Sequence, residues 1–227
     1  MSVTVSESLL PVLPEVLARI KNLFDLYCEP KAVYETLQVM NTLQPGLCVL
    51  GTRLPGCFNV FEMSVRAVLG QQITVKAAST LAARLVAVYG TQVQTGIEGL
   101  THSFPAPAAI LALGENISEH LGKLGIISAR ANTIYQLARV LADEKNDFGF
   151  CGNPEEEMQK LQAIRGIGSW TAQYIAMRAM GWPDAFLPTD AGIKKALPDH
   201  TPKELQVLSE AWRPWRSYAT VNLWNTL

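Results

Sequence analysis

The residues best suited to chemistry form three groups, and the densest is Leu161-Gln162-Ala163-Ile164-Arg165-Gly166-Ile167-Gly168-Ser169-Trp170-Thr171-Ala172. Apolar spacing predicts an amphipathic helix ending at Ile164, a hairpin with two glycines, and a new helix from Ser169. Two glycines around one aliphatic residue permit a tight turn and leave its backbone unshielded by side chains. The N–H groups around Gly166, Gly168, Ser169 and Thr171, at the entry to the second helix, then form an anion site suited to a nucleic-acid phosphate. Ile164 and Ile167 should be buried and hold the two helices together. An ordinary pair of helices whose glycines act as caps explains the same turn, so these glycines alone do not decide between the two readings.

The second group is Asp190, which follows Leu187-Pro188-Thr189 and precedes Ala191-Gly192-Ile193-Lys194-Lys195-Ala196. That context predicts a helix N-cap, where the macrodipole favours an ionised carboxylate. The third group is aromatic. Trp170 and Tyr174 are spaced i, i+4 and share a helix face beside the hairpin. Trp224 lies near the C-terminus. Aromatic residues in helical proteins are mostly core, so their spacing does not by itself make a pocket. His102, His120 and His200 match no metal-ligand spacing. Cys28, Cys48, Cys57 and Cys151 lie far apart with no CxxC pair, which argues against zinc or an iron–sulfur cluster.

The elements that must position these groups are helices. Leu13, Val16, Leu17, Ile20, Leu23 and Phe24 step by three and four, predicting a helix over Pro14–Tyr27. Further helices are expected from Pro30 to Met40, over Asn59–Leu69, and over Thr74–Tyr89 with Thr74 as N-cap and Gly90 as stop. Pro105–Leu113 and Ile117–Leu124 read as short helices, and Ser128 as the cap of a longer one through Ala142. Asn153-Pro154-Glu155-Glu156 starts another. Ser169–Met180, Ala191–Leu197, Pro202–Ala211 and Trp215–Trp224 complete the series. Only Leu47–Leu50 has strand character, and Thr91–Pro107, rich in Thr, Gly and Pro, is the expected break. The fold class is all-α.

With 227 residues, 48% of them hydrophobic, the chain can bury a sizeable core and has neither the low hydrophobicity nor the high charge of a disordered segment. No apolar run approaches the ~20 residues of a membrane span, and Met1–Leu10 lacks the basic start of a signal peptide. A reducing, cytoplasmic setting without membrane association is expected. Net charge is −1, yet residues 143–157 hold six acids against Lys145 alone, leaving the rest of the chain basic. Charge therefore neither excludes nucleic acid nor points to it.

Taken with Leu187-Pro188-Thr189-Asp190, the hairpin pattern resembles the helix-hairpin-helix DNA glycosylase superfamily, in which the catalytic aspartate falls about where Asp190 stands, 22 residues after Gly168. Two further stretches resemble its 3-methyladenine DNA glycosylase II (alkylbase) family. One is Arg53-Leu54-Pro55-Gly56-Cys57-Phe58-Asn59-Val60-Phe61-Glu62, running into Ala67-Val68-Leu69-Gly70-Gln71-Gln72-Ile73. The other is Trp212-Arg213-Pro214-Trp215-Arg216-Ser217-Tyr218-Ala219, continuing to Trp224. The resemblance covers the chain from about Leu10. It implies two packed helical subdomains with the active site in a cleft between them. It also implies Asp190 as the catalytic carboxylate, Trp170, Tyr174 and Trp224 as the base pocket, and Gln72 as the wedge that fills the gap left by an extruded nucleotide. Backbone carbonyls of Gln162, Ile164 and Ile167 match positions that hold a monovalent cation in relatives; no other cofactor is implied.

The implied partner is duplex DNA containing alkylated bases, bound by a monomer. The implied activity is hydrolysis of the N-glycosidic bond of an alkylated purine such as 3-methyladenine or 7-methylguanine, in base excision repair. A non-catalytic helix-hairpin-helix DNA-binding module, or an inactive fragment of such an enzyme, is the alternative. Larger bacterial members carry a β-rich N-terminal domain ahead of the region matched here. Residues 1–50 are accordingly read as a helical remnant of that domain or a linker to it, and residues 51–227 as the helix-hairpin-helix domain.

Overall fold

A computed structural model describes residues 1–142 and 153–227. Cys151 and the acids Asp143, Glu144 and Asp147 fall outside the described residues. The helices run in chain order as α1 (Leu13–Leu23), α2 (Pro30–Leu37), α3 (Val60–Leu69), α4 (Val75–Tyr89), α5 (Pro107–Leu111), α6 (Ile117–Gly122), α7 (Ser128–Leu141), α8 (Pro154–Gln162), α9 (Ser169–Ala179), α10 (Ala191–Ala196), α11 (Pro202–Leu208) and α12 (Arg216–Trp224). None of the described helices is long and apolar enough to cross a membrane.

Several boundaries follow from local chemistry. Asn59 caps α3 by accepting from the Glu62 N–H, and Thr74 caps α4 by accepting from Ala77, each interaction being worth ~1 kcal/mol. Asn153 caps α8, whose first turn holds Glu155, Glu156 and Glu157. Thr201 and Glu204 form a reciprocal capping box on α11. Ser128 departs from expectation: Ile127 takes the N-cap position and Ser128 is already helical.

The chain divides into two compact units at 58/59 and 180/181, and neither boundary falls within Thr91–Pro107. The first unit joins Met1–Phe58 to Gly181–Leu227, and the second is Asn59–Met180. The Thr91–Pro107 segment marks no break because a two-residue antiparallel pairing, Thr91–Gln92 with His102–Ser103 (β1 and β2), closes it on itself inside the second unit. Leu47–Leu50 forms no strand. Leu47 and Cys48 are buried in irregular backbone, and Asn41 and Asn222 side chains accept the N–H groups of Cys48 and Val49.

In the second unit α3 packs on α7 and α9, and Val65, Val68 and Leu69 of α3, Ile134 and Leu137 of α7 and Ile175 of α9 are all buried. Alanines at 172, 176 and 179 keep the inner face of α9 narrow. In the first unit α10 packs on α12, and Trp212 is buried edge-on to Phe186. The predicted apolar face of α1 is only half-buried, and Phe24 lies beyond the helix end, exposed.

Candidate functional site

The hairpin is built as its residues predict, with different demands on its two glycines. Ile164 and Ile167 are buried, and the Ile167 N–H donates to the Ile164 carbonyl at 3.0 Å, closing the turn. Gly166 has φ +96°, and a Cβ there would lie 2.1 Å from Thr133 Oγ1 on α7. Conformation and space both demand glycine. The Thr133 hydroxyl in turn donates to the Arg165 carbonyl at 2.9 Å, fixing the inner side of the turn. Gly168 is the N-cap of α9 in extended backbone, and a Cβ there would meet nothing within 4 Å. Its surroundings are open, so the α9 N–H groups at Gly168 and Ser169 remain accessible to an anion.

Thr171 does not face outward. It is buried, and its hydroxyl accepts from Gln71 Nε2 at 2.9 Å. The same Gln71 nitrogen donates to the Gly166 carbonyl at 2.9 Å, and Arg130 donates to the Gln71 carbonyl. Gln71 thus ties the turn after α3 to the hairpin. Sequence reasoning passed over it for its neighbour, although the Gln71-Gln72 pair was a visible signal. Gln72 is exposed and adopts φ +55°, a left-handed conformation that costs a non-glycine residue roughly 1–2 kcal/mol.

On α9, Trp170 and Tyr174 stack with ring centroids 5.1 Å apart and planes 8° from parallel. One further turn along, the Arg178 guanidinium lies 5.8 Å from the Tyr174 ring centroid. The shared face read from the sequence is therefore an aromatic stack continued by a cation.

In the first unit Asp190 is the N-cap of α10 and only 8% exposed. Its Oδ1 accepts from the Gly192 N–H at 2.8 Å, from Ile193 N–H at 3.1 Å, and from the indole Nε1–H of Trp224 at 2.8 Å. The structure brings Asp190 and Trp224 into direct contact, a hydrogen bond that the resemblance does not imply. Trp224 is half-buried.

The Trp212–Ala219 motif explains how the two meet. The Ser217 N–H donates to the Pro183 carbonyl. Its hydroxyl bonds Trp182 and Ala185 backbone, and Arg216 grips Asp184 through Nε at 2.7 Å and Nη2 at 2.9 Å. Asp184 and Arg216 are both buried, so this pair is strongly coupled and locks the chain leading to Asp190 onto the start of α12. In the same unit, Arg53, Leu54 and Gly56 fasten onto the α1–α2 turn through Asp25 and Leu23.

Gln162 closes α8, where the macrodipole favours a cation, while Ile164 and Ile167 follow in the turn that leads to α9. The turn bond occupies one lone pair of the Ile164 carbonyl and leaves the second open to a further donor or ion.

Residues 65–216 match the HhH-GPD superfamily base excision DNA repair protein family, and residues 1–59 match the AlkA N-terminal domain. DNA-3-methyladenine glycosylase 2 of Escherichia coli K12 is 38% identical over 224 residues, spanning 99% of this chain and 76% of that protein. The probable bifunctional transcriptional activator/DNA repair enzyme AlkA of Mycobacterium tuberculosis is 40% identical over 92% of this chain, which covers 42% of that longer protein. Among solved structures, the 3-methyladenine DNA-glycosylase from Archaeoglobus fulgidus superposes with a TM-score of 0.77 at 22% identity, covering 97% of this chain and 76% of that one. Fold, motifs and relatives agree: the chain belongs to the HhH-GPD superfamily of base excision DNA repair proteins.

Proposed function

We propose that this chain is a monofunctional DNA glycosylase that excises alkylated purines of the 3-methyladenine and 7-methylguanine type from duplex DNA. The observation that carries this reading is Asp190, a mostly buried carboxylate whose Oδ1 receives three N–H donors. Such a group is a fixed anion, suited to stabilising positive charge that develops on a sugar as its glycosidic bond breaks. Kinship with the Escherichia coli glycosylase over nearly the whole chain supports alkylated purines as the substrate class.

In this mechanism the backbone at Gly168 and Ser169 takes a phosphate, and Gln72 fills the space left by the extruded nucleotide. A monovalent cation on the carbonyls of Gln162, Ile164 and Ile167 would add positive charge beside that phosphate. Trp170 and Tyr174 supply an aromatic wall for a cationic base, worth ~0.5–2 kcal/mol per favourable contact. An N-alkylated purine already carries positive charge. It leaves as a neutral base with the bonding electron pair, and no protein acid is needed. Asp190 stabilises the resulting sugar cation, water adds at C1′, and the proton lost from water passes to the carboxylate or to solvent.

Water is the nucleophile in this scheme because Trp170 occupies the position two residues after Gly168, where bifunctional members of the superfamily place a lysine. The test is to incubate the chain with methylated duplex DNA, quantify released 3-methyladenine, and trap with borohydride. Free base and an uncleaved abasic strand are expected. A trapped protein–DNA adduct would overturn the hydrolytic assignment, and no base release would overturn the enzyme.

A further inference from the structure

The bond from Trp224 to Asp190 is not part of the N-cap. Gly192 and Ile193 N–H groups satisfy the usual cap geometry from within α10, whereas the indole arrives from α12. The residue between them makes the approach possible. A Cβ on Gly192 would lie 2.7 Å from Trp224 Cδ1, 2.9 Å from its Nε1 and 3.0 Å from Asp190 Oδ1. Gly192 is an ordinary helical residue with no positive φ, so the backbone does not require glycine there. Space for the indole does. Behind it, the Arg216–Asp184 pair and the Ser217 bonds fix the start of α12 against the strand of chain entering Asp190, so both ends of the contact are anchored.

We infer that Trp224 is a positioning residue acting through Asp190, and that Gly192 is the seat that admits its indole. The inference rests on the proposed role of Asp190. Its content differs from a base-stacking role in one decidable way: positioning needs the indole N–H, and stacking needs only the aromatic face. A donor on the carboxylate fixes its rotamer, and so the direction in which its charge faces the sugar, whichever base is leaving.

Trp224→Phe separates the two, because phenylalanine keeps an aromatic face and loses the donor. Single-turnover excision is measured on duplexes carrying cationic 7-methylguanine or neutral hypoxanthine, alongside the Kd for DNA with an abasic analogue. Positioning predicts an excision loss of about 10- to 100-fold, the scale set by small misplacements of a reacting group, equal for both lesions. The Kd should stay within about twofold of the unmodified chain, since phosphate and groove contacts are untouched. Retained activity on hypoxanthine, with loss confined to the cationic base, would overturn the inference in favour of stacking. Gly192→Ala should reproduce the Phe phenotype and add little to it in the double variant, whereas full additivity would overturn the role of Gly192 as the seat.

A readout independent of turnover comes from indole N–H resonances, of which the five tryptophans give five, Trp224 being assigned by its loss in Trp224→Phe. Asp190→Asn should move that resonance, and an unmoved one would overturn the contact. If the unmodified chain excises neither lesion, the functional reading fails by itself, and the resonance still decides whether the indole and carboxylate are paired.

Discussion

The surroundings of Asp190 and of the Gly166–Gly168 hairpin solve opposite problems. Around Asp190 a side chain is over-determined: one oxygen takes three donors, and buried bonds between residues 182–185 and α12 hold the frame. At the hairpin the structure holds one side of a turn and leaves the other bare, with Thr133 packed under Gly166 and nothing near the Cβ direction of Gly168. A charge that must sit beside a reacting sugar needs a fixed direction. A grip on phosphate needs unshielded N–H groups and little else. The two regions should therefore fail differently, one in rate and the other in affinity.

The largest expected effect tests the first half of that contrast. Asp190→Asn keeps a side chain that can cap α10 but removes the negative charge. Excision should fall by about 10²- to 10³-fold, as when a preorganised electrostatic group is lost, while DNA affinity stays within about twofold. Single-turnover rates and equilibrium binding on the same duplex check it. Undiminished excision would take the chemistry away from Asp190.

The hairpin glycines sharpen the second half. Gly166→Ala meets both a φ of +96° and a Thr133 hydroxyl 2.1 Å away, so it should destabilise the fold by ~1–3 kcal/mol. Gly168→Asp enters open space in extended backbone, so melting should change little. Its carboxylate would nevertheless face the approaching phosphate, and affinity should drop on any sequence. Salt should weaken binding with a shallow slope, because the chain has net charge −1 and few cations flank the turn. Thermal melting paired with titration at two ionic strengths separates these outcomes. Equal affinity for Gly168→Asp would remove the hairpin from the interface.

Much of this was legible in the sequence because it follows local rules. Asn59, Thr74 and Asn153 each cap the helix predicted to follow. The hairpin was readable because glycine spacing and buried isoleucines constrain one short segment. What escaped depends on distance along the chain. Gln71 meets Gly166 and Thr171 across about a hundred residues, and Trp224 meets Asp190 across 34. No period links such pairs. Residues 1–58 likewise fold with 181–227, an association the linear pattern cannot display. The inward side chain of Thr171 follows from the helical repeat, which sets it on one face with Ile175 although it stands next to the turn.

The smallest effect probes what holds α12, and hence the Asp190 frame, from behind. Tyr218, one turn and a half before Trp224, is 4% exposed and bonds to Cys28 beside Asp25. Burial, then those two neighbours, push its phenol far above its ordinary value; burial likewise raises the Cys28 thiol. The sign follows. Below about pH 7.5 both groups hold their protons folded and unfolded, so their contribution is flat. Above that, the unfolded chain ionises Cys28 and then Tyr218 while the folded chain keeps them neutral, so stability falls as pH rises. Tyr218 lies on α12, so alkaline loosening should be felt in that helix. Hydrogen exchange from pH 8 to 11, normalised for intrinsic rate, should show α12 amides losing protection. Tyr218→Phe should cost ~1 kcal/mol at neutral pH through its lost hydrogen bond, yet give a shallower alkaline decline in melting temperature. An unchanged decline would move the alkaline sensitivity away from Tyr218 and Cys28.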